Sequence, residues 1–389
     1  MKVLILSQYY SPDLSAGSFR MSSFVRSLVD LYPDIEFELL TTMPNRYNSF
    51  KESANEVEKV DKLTIHRFSL PHHNGGMRQQ IFSYIHYYRY VFKVTKNKDY
   101  DLIFATSSRL FTATLGAYLS WRKRIPLYLD IRDIFVDSIG DVLSGVSKLF
   151  ITPPLKLIER LTLGKALRIN LVSEGFYSYF KNKYPKSKFT FISNGIDDIF
   201  MDSKNEQVHD NSDKVILYAG NIGEGQGLDR IIPMISNKLG HGFKLKIIGD
   251  GGRKKALELK LRDLKVDNVE VCNPVERSKL IQEYQKADVL FLHLNSYDAF
   301  KKVLPSKIFE YAATGKPIWA GVNGYAKEFL EKEVENTTVF TPCDANDAIN
   351  SFKKLKLEVI DREKFKEKFS RKKLMDELAK EVISLLPGY

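Results

Sequence analysis

The sequence predicts an α/β protein built from two doubly wound domains. Three observations carry this: short apolar runs recur along the whole chain, helix-like stretches separate them, and a polar break at residues 201–214 divides a first series from a second. At 389 residues and 43% hydrophobic content the chain has material for two domains of ordinary size. Its 59 Lys and Arg against 48 Asp and Glu, a net charge of +11, favour anionic partners: phosphorylated metabolites, anionic lipid or nucleic acid. The two cysteines, Cys272 and Cys343, have no metal-ligand spacing, so a reducing compartment is expected. The opening MKVLILSQYY reads as a strand and is too short for a signal peptide; no uncharged run nears the roughly 20 residues that cross a bilayer. A cytosolic chain, or one held at a membrane surface, is the expectation.

In the first series, KVLIL (residues 2–6) is continuously apolar, as a strand covered on both faces must be. The loop after it contains Pro12 and Gly17, and a helix follows with Phe24, Leu28 and Leu31 on one face. Gly17 permits close backbone approach, and Arg20 in the first turn could hold an anion; a plain turn suits the same residues. Further strands are predicted at Phe37–Leu40, Leu102–Ala105, Leu127–Ile131, Ile169–Val172 and Phe189–Ile192. Three loops follow strands, where doubly wound sheets bind ligands: TTMPNRY (Thr41–Tyr47), DIRD (Asp130–Asp133) and SNGID (Ser193–Asp197). Asp130, Arg132 and Asp133 put charge at such an end, for a ligand or for one another. Two segments mix basic and apolar residues. Residues 77–98 hold five cations, six aromatics and no acid; residues 148–168 hold five cations and the single acid Glu159. Either could lie in an anionic membrane interface or pack on the sheet with a charged rim. Nucleic acid is disfavoured, because these cations sit among apolar stretches and not along a polar groove.

The second series predicts strands at Val215–Ala219, Lys244–Ile248, Val269–Val271, Asp288–Leu292 and Pro317–Ala320. The first two run into glycine, as YAGNIGEGQG (Tyr218–Gly227) and IIGDGGR (Ile247–Arg253), so Gly220, Gly249, Asp250 and Gly251 sit where backbone can approach a ligand, and Arg253 opens the next helix. Around LPSKIFEYAATGKP (Leu304–Pro317), Pro305 ends an extended stretch, Ser306 is a favoured N-cap, and a short helix runs to Gly315. Its free N–H groups and Lys307 suit a phosphate; Glu310, about one turn on, suits a pair of sugar hydroxyls. A surface helix with a solvated Glu is the plainer alternative. From Arg362 one long charged helix is expected to Leu386.

Together, the Gly17 loop, TTMPNRY, SNGID, AGNIGEGQGLD, IIGDGG, KADVLFLHL and PSKIFEYAATGKP resemble, in order, the family 4 glycosyltransferases of GT-B fold, and in particular the branch that builds bacterial O-antigen, capsule and colanic acid, including presumed L-fucosamine transferases. The resemblance implies two Rossmann-like domains facing each other across a cleft: residues 1–200, joined by a C-terminal helix at about 370–389, and residues 213–369. It implies a nucleotide-sugar held mostly by the second domain, with Glu310 on the ribose, Ser306 and Lys307 at the diphosphate, Val275 near the base and the Gly17 loop over the phosphates.

This chain departs from the family pattern at three places. Lys302 stands where many relatives have a second glutamate, with seven residues between it and Glu310. Asn221 and Gln226 replace the Arg and Lys that commonly hold the diphosphate, leaving Lys307 and Arg253 to supply charge. The DIRD loop, with Asp133, stands in place of a His above the donor sugar. The implied reaction is retaining transfer from a nucleoside-diphosphate donor, a UDP-sugar above all, to a lipid-linked saccharide, with Asp133, Arg132 and Lys307 as catalytic candidates. No metal and no other cofactor is expected, and the implied location is the inner face of the plasma membrane. A UDP-sugar 2-epimerase of the same fold, or a silent membrane-docked assembly subunit, are the alternatives.

Overall fold

The computed structural model describes residues 1–13, 15–44, 54–70, 77–107, 110–142, 146–201, 213–240 and 242–389. Asn45, Arg46 and Tyr47 of the TTMPNRY loop and most of the expected linker, residues 202–212, lie outside them. The chain divides into two compact units, residues 1–194 with 371–389, and residues 195–370.

The first unit carries an eight-stranded sheet: β1 (Lys2–Leu6), β2 (Glu36–Thr42), β3 (Val57–Val60), β4 (Leu63–Phe68), β5 (Leu102–Thr106), β6 (Leu127–Ile131), β7 (Arg168–Leu171) and β8 (Lys188–Thr190). The spatial order is β3-β4-β2-β1-β5-β6-β7-β8, parallel throughout except for β3 against β4. Val3, Ile5, Phe37, Leu39 and Phe104 from the sheet pack with Phe24 and Leu28 of helix Ala16–Leu31. The chain returns at its end to this core: Met375, Leu378, Val382 and Ile383 of helix Arg371–Ile383 are buried in it. Burying side chains of this size stabilises by about 2 kcal/mol each, which is what fixes a terminal helix on a distant unit of sequence.

The second unit is a six-stranded parallel sheet: β9 (Lys214–Asn221), β10 (Phe243–Asp250), β11 (Val269–Cys272), β12 (Val289–His293), β13 (Ile318–Gly321) and β14 (Thr337–Phe340). Its order, β11-β10-β9-β12-β13-β14, reverses direction between β9 and β12. The alternation of the strands divides two cores. Leu217, Ala219, Leu290 and Leu292 face Ile308, Phe309 and Tyr311, while Ile216, Tyr218, Leu245, Ile247 and Phe291 face Ile231, Ile235 and Leu257. The crevice beyond the carboxyl ends of β9 and β12 is where a sheet of this topology binds ligands.

Several expectations need correcting. The helix after β1 starts at Ala16, with Ser15 as its N-cap accepting from Ser18 N–H (3.1 Å), so Gly17 lies in the first helical turn and not in a loop. Leu31 of that helix is exposed. Asp130 belongs to β6 itself. The long final helix is two, Glu363–Phe369 and Arg371–Ile383, broken at Ser370, where the backbone is extended and bridges Ile196. Part of the 77–98 segment turns inward: helix Met77–Thr95 packs Tyr84, Tyr87 and Val91 into the unit, with Tyr87 Oη donating to Leu40 O (2.8 Å) and Tyr90 stacked on Phe68, while Phe82 and Ile85 are exposed.

Candidate active site

In the second unit the two glycine loops are laced together at the ends of β9 and β10. Gly249 pairs with Gly220 and Asp250 with Asn221. Ile222 N–H donates to Asp250 O (2.8 Å), and Arg253 N–H to Ile222 O (2.9 Å). The glycines are obligatory at this closeness: a Cβ on Gly249 would lie 1.9 Å from Gly220 O, and one on Gly251 2.5 Å from Ile222 O. The side chains of Asn221 and Gln226, expected as separate phosphate donors, are bonded to one another, Nδ2 to Oε1 at 2.8 Å. Arg253 does stand at the N-cap of helix Lys254–Asp263, but its Nε is paired with Glu224 Oε2 at 2.6 Å. Glu224 also accepts from Tyr297 Oη (2.6 Å) and pairs with Arg230 (3.3 Å); the Tyr297 hydrogen bond and the two arginines hold its carboxyl below the usual carboxylate range.

The short helix is Lys307–Ala313. Ser306 occupies its N-cap position with helical backbone and no side-chain capping bond, a correction to its expected role. Lys307 and Glu310 do share a face, and they meet: Lys307 Nζ donates to Glu310 Oε2 (2.7 Å) and to Tyr284 Oη (2.9 Å), and Tyr284 Oη donates to Glu310 Oε2 (3.2 Å). Glu310 is 6% exposed, and Lys307 is therefore tied to a carboxylate instead of projecting alone from the helix tip. Tyr284 is fully buried, and burial reinforced by the Glu310 charge pushes its hydroxyl well above the ordinary phenol value. At the other end of the helix, Arg362 Nη1 donates to Ala312 O (3.2 Å) and Lys316 O (3.1 Å). Pro305 is half-buried just before the helix, Lys302 ends the short 3-10 helix Asp298–Lys302, and Val275 is half-buried against the core beneath.

The end of β12 supplies the residues that sequence reasoning missed. His293 is completely buried; its Nδ1 lies 2.6 Å from Gln226 O and its Nε2 accepts from Cys343 N–H (3.0 Å). Asn295 donates from its backbone to Gly225 O (2.8 Å) and from Nδ2 to Glu224 O (2.9 Å). A polar residue closing the apolar run VLFLH was the available signal for His293; Tyr284 was legible as the inward position of Leu280, Ile281 and Tyr284 on helix Arg277–Lys286.

In the first unit Arg20 is a correction. It is fully buried in a fork with Asp130 (2.9 and 3.0 Å) and also donates to Ile192 O (3.0 Å) and Ser193 O (2.5 Å), so it ties helix Ala16–Leu31 to β6 and is not open to an anion. Asn170 completes the cluster, donating to Asp130 Oδ1 (2.7 Å) and accepting from Ile192 N–H (2.7 Å). Arg132 and Asp133 follow β6 and are half-buried. Arg132 is anchored through its backbone N–H on Ser107 Oγ (3.0 Å), its Nη2 reaches Asn194 Oδ1 only at 3.4 Å, and its buried Nη1 has no partner among the described residues. Burial pushes the guanidinium down to about 10, opposed by Asp130. Among the described residues no three His, Cys, Asp or Glu side chains gather as a metal site would.

Residues 200–372 match the family described as Glycosyl transferases group 1, a stretch that contains every loop of the second-unit site. Over 158 residues, 41% of this chain and 38% of that protein, the sequence is 27% identical to the putative colanic acid biosynthesis glycosyl transferase WcaI of Escherichia coli K12. The structure is similar to HepE of Anabaena, solved with UDP and glucose (TM-score 0.67, 16% identity, 99% of each chain). It is similar also to WaaG, a glycosyltransferase involved in lipopolysaccharide biosynthesis (TM-score 0.65, 15% identity, 98% of this chain and 99% of that one). The fold is GT-B, with two Rossmann-like domains.

Proposed function

We propose that this chain is a retaining glycosyltransferase that moves a sugar from a UDP-sugar to a lipid-linked saccharide during assembly of a bacterial surface polysaccharide such as O-antigen or capsule. The observation that carries the reading is the lacing of both glycine loops and Arg253 at the carboxyl ends of β9 and β10, with helix Lys307–Ala313, which carries the Lys307–Glu310 pair, bonded to β9 by Ala219 N–H donating to Tyr311 Oη (3.1 Å), all within the stretch that matches the group 1 family. The UDP bound by HepE and the polysaccharide roles of WaaG and WcaI support the donor and the pathway class.

Glu310 accepts hydrogen bonds from the ribose hydroxyls, and Lys307 with Tyr284 keeps its carboxylate aimed. Asn221 and Gln226 donate to the diphosphate as neutral amides. Arg253 reaches the diphosphate by exchanging its Glu224 partner, so positive charge arrives as the donor binds. Arg132, whose Nη1 has no partner among the described residues, orients an anionic or hydroxylated group, and Asp133 the sugar. The acceptor hydroxyl attacks the anomeric carbon on the face that the diphosphate leaves, and its proton passes to the departing phosphate oxygen. The configuration is retained and no metal is needed, because amides and cations meet the developing charge.

The lipid-linked acceptor and an anionic membrane are met through helix Val146–Lys165. Its outward side carries Leu149, Phe150, Leu157 and Leu161, each more than half exposed, with Lys156, Arg160 and Lys165, while its one acid, Glu159, is buried. None of the described helices is long and apolar enough to cross a membrane.

Titrating a panel of nucleotide-sugars by calorimetry tests the reading. A UDP-sugar is expected to bind, and Glu310→Ala is expected to weaken it by about a hundredfold, the loss of two charge-assisted hydrogen bonds. Unchanged affinity in Glu310→Ala would remove the residue from the donor site.

A further inference from the structure

Three consecutive carbonyls of the loop after β9 are held by donors from the end of one neighbouring strand. Asn295 Nδ2 takes Glu224 O, Asn295 N–H takes Gly225 O, and His293 Nδ1 takes Gln226 O. The histidine tautomer follows from chemistry: Cys343 N–H can only donate, so Nε2 is the acceptor and the proton sits on Nδ1. The ring is built in. It stacks with Phe291 and Phe340 at 6.1 and 5.9 Å between centroids, and a Cβ on Gly321 would come within 2.2 Å of its Cδ2. With burial holding the imidazole at about 4, it stays neutral and keeps this bonding pattern above that pH.

We propose that His293, with Asn295, positions the donor loop: by fixing carbonyls 224–226 it sets the peptide planes of the loop and holds the Asn221–Gln226 amide pair in place for a diphosphate. The two residues lie at the end of β12 and hold the loop that follows β9, the two strands between which the order reverses, so the clamp lies at the crevice in which this topology binds ligands. Neutral amides have replaced cations on this loop in the proposed reading, so it has no strong Coulomb attraction to draw it onto a phosphate; its affinity then depends on being held in the binding shape beforehand. This inference rests on the proposed donor site.

The two ring nitrogens can be tested separately. In His293→Asn the amide nitrogen falls near the place of Nδ1 and keeps the bond to Gln226 O; in His293→Gln the amide oxygen falls near Nε2 and keeps the bond to Cys343 N–H. Both lose the same buried ring, so both lower the thermal midpoint. Affinity for UDP, GDP and ADP is measured by calorimetry, and the tightest binder is used for comparison. The expected result is a loss of about tenfold in His293→Gln, one hydrogen bond, with His293→Asn within about threefold of the unaltered chain. Asn295→Ala, which frees Glu224 O, is expected to lose several-fold with little change in midpoint and serves if a His293 variant does not fold. Equal losses in Asn and Gln variants that track the midpoint, or full affinity in His293→Gln or Asn295→Ala, would overturn the positioning role alone. Failure of the unaltered chain to bind any of the three nucleotides would overturn the donor site and this inference with it.

Discussion

Replacing Arg20 by alanine removes the two-bond fork from the fully buried Asp130 and leaves Asn170 as its side-chain hydrogen-bond donor among the described residues, so a loss of about 3–5 kcal/mol in urea unfolding is expected, with nucleotide affinity unchanged in the folded fraction. Retained stability would mean that Asp130 finds another partner. His293 gives a pH signature. Its imidazole is held at about 4 in the folded chain against about 6.5 unfolded, so the unfolded chain binds the extra proton between those values and stability falls as pH drops from about 6.5 to about 4. The full effect is about 3 kcal/mol, and a pH series of thermal midpoints on His293→Asn should lose that part of the slope. At this scale the sequence was legible where partners are near neighbours: Lys307 and Glu310 sit three apart and meet. Arg20 and Asp130 are separated by 110 residues, and Gln226 and His293 by 67, so only the fold could pair them.

Apolar runs located every strand that is covered on both faces, and glycine marked the ends of β9 and β10. The strands that went unread were β3, β4 and β14. VEKV in β3 is a mostly exposed edge strand with charge in its middle, LTIHRF in β4 alternates between buried and half-buried positions, and TTVF in β14 has one buried residue, so none shows a continuous apolar run. The break at Ser370 was hidden for another reason: no Gly or Pro marks it, and the bridge to Ile196 with the bond from Ile196 N–H to Phe369 O imposes it from outside the helix. Of the two basic, apolar segments, composition could not tell which face was out. Packing turns Tyr84 and Tyr87 of the first inward and leaves Phe82 and Ile85 out, whereas helix Val146–Lys165 exposes the longer apolar row. Replacing Phe150 and Leu157 together by Glu should reduce co-sedimentation with vesicles containing about one-third anionic lipid at least tenfold, and added salt should weaken what binding the unaltered chain shows. Equal binding by both proteins would exclude this helix as the contact.

For the whole molecule, the doubly wound architecture was readable because parallel strands and glycine loops alternate at regular intervals, and because the terminal helix carries its apolar residues at helical spacing. Its attachment to the first unit follows from buried contacts at Met375, Leu378 and Val382, which sequence alone does not assign to a partner. The central claim is that the crevice beyond β9 and β12 grips a nucleoside diphosphate through loops of the second unit. Hydrogen–deuterium exchange with and without saturating UDP tests it most directly. The account predicts slowed exchange in residues 220–227, 249–254 and 306–310; protection absent there, or found only in the first unit, would contradict it.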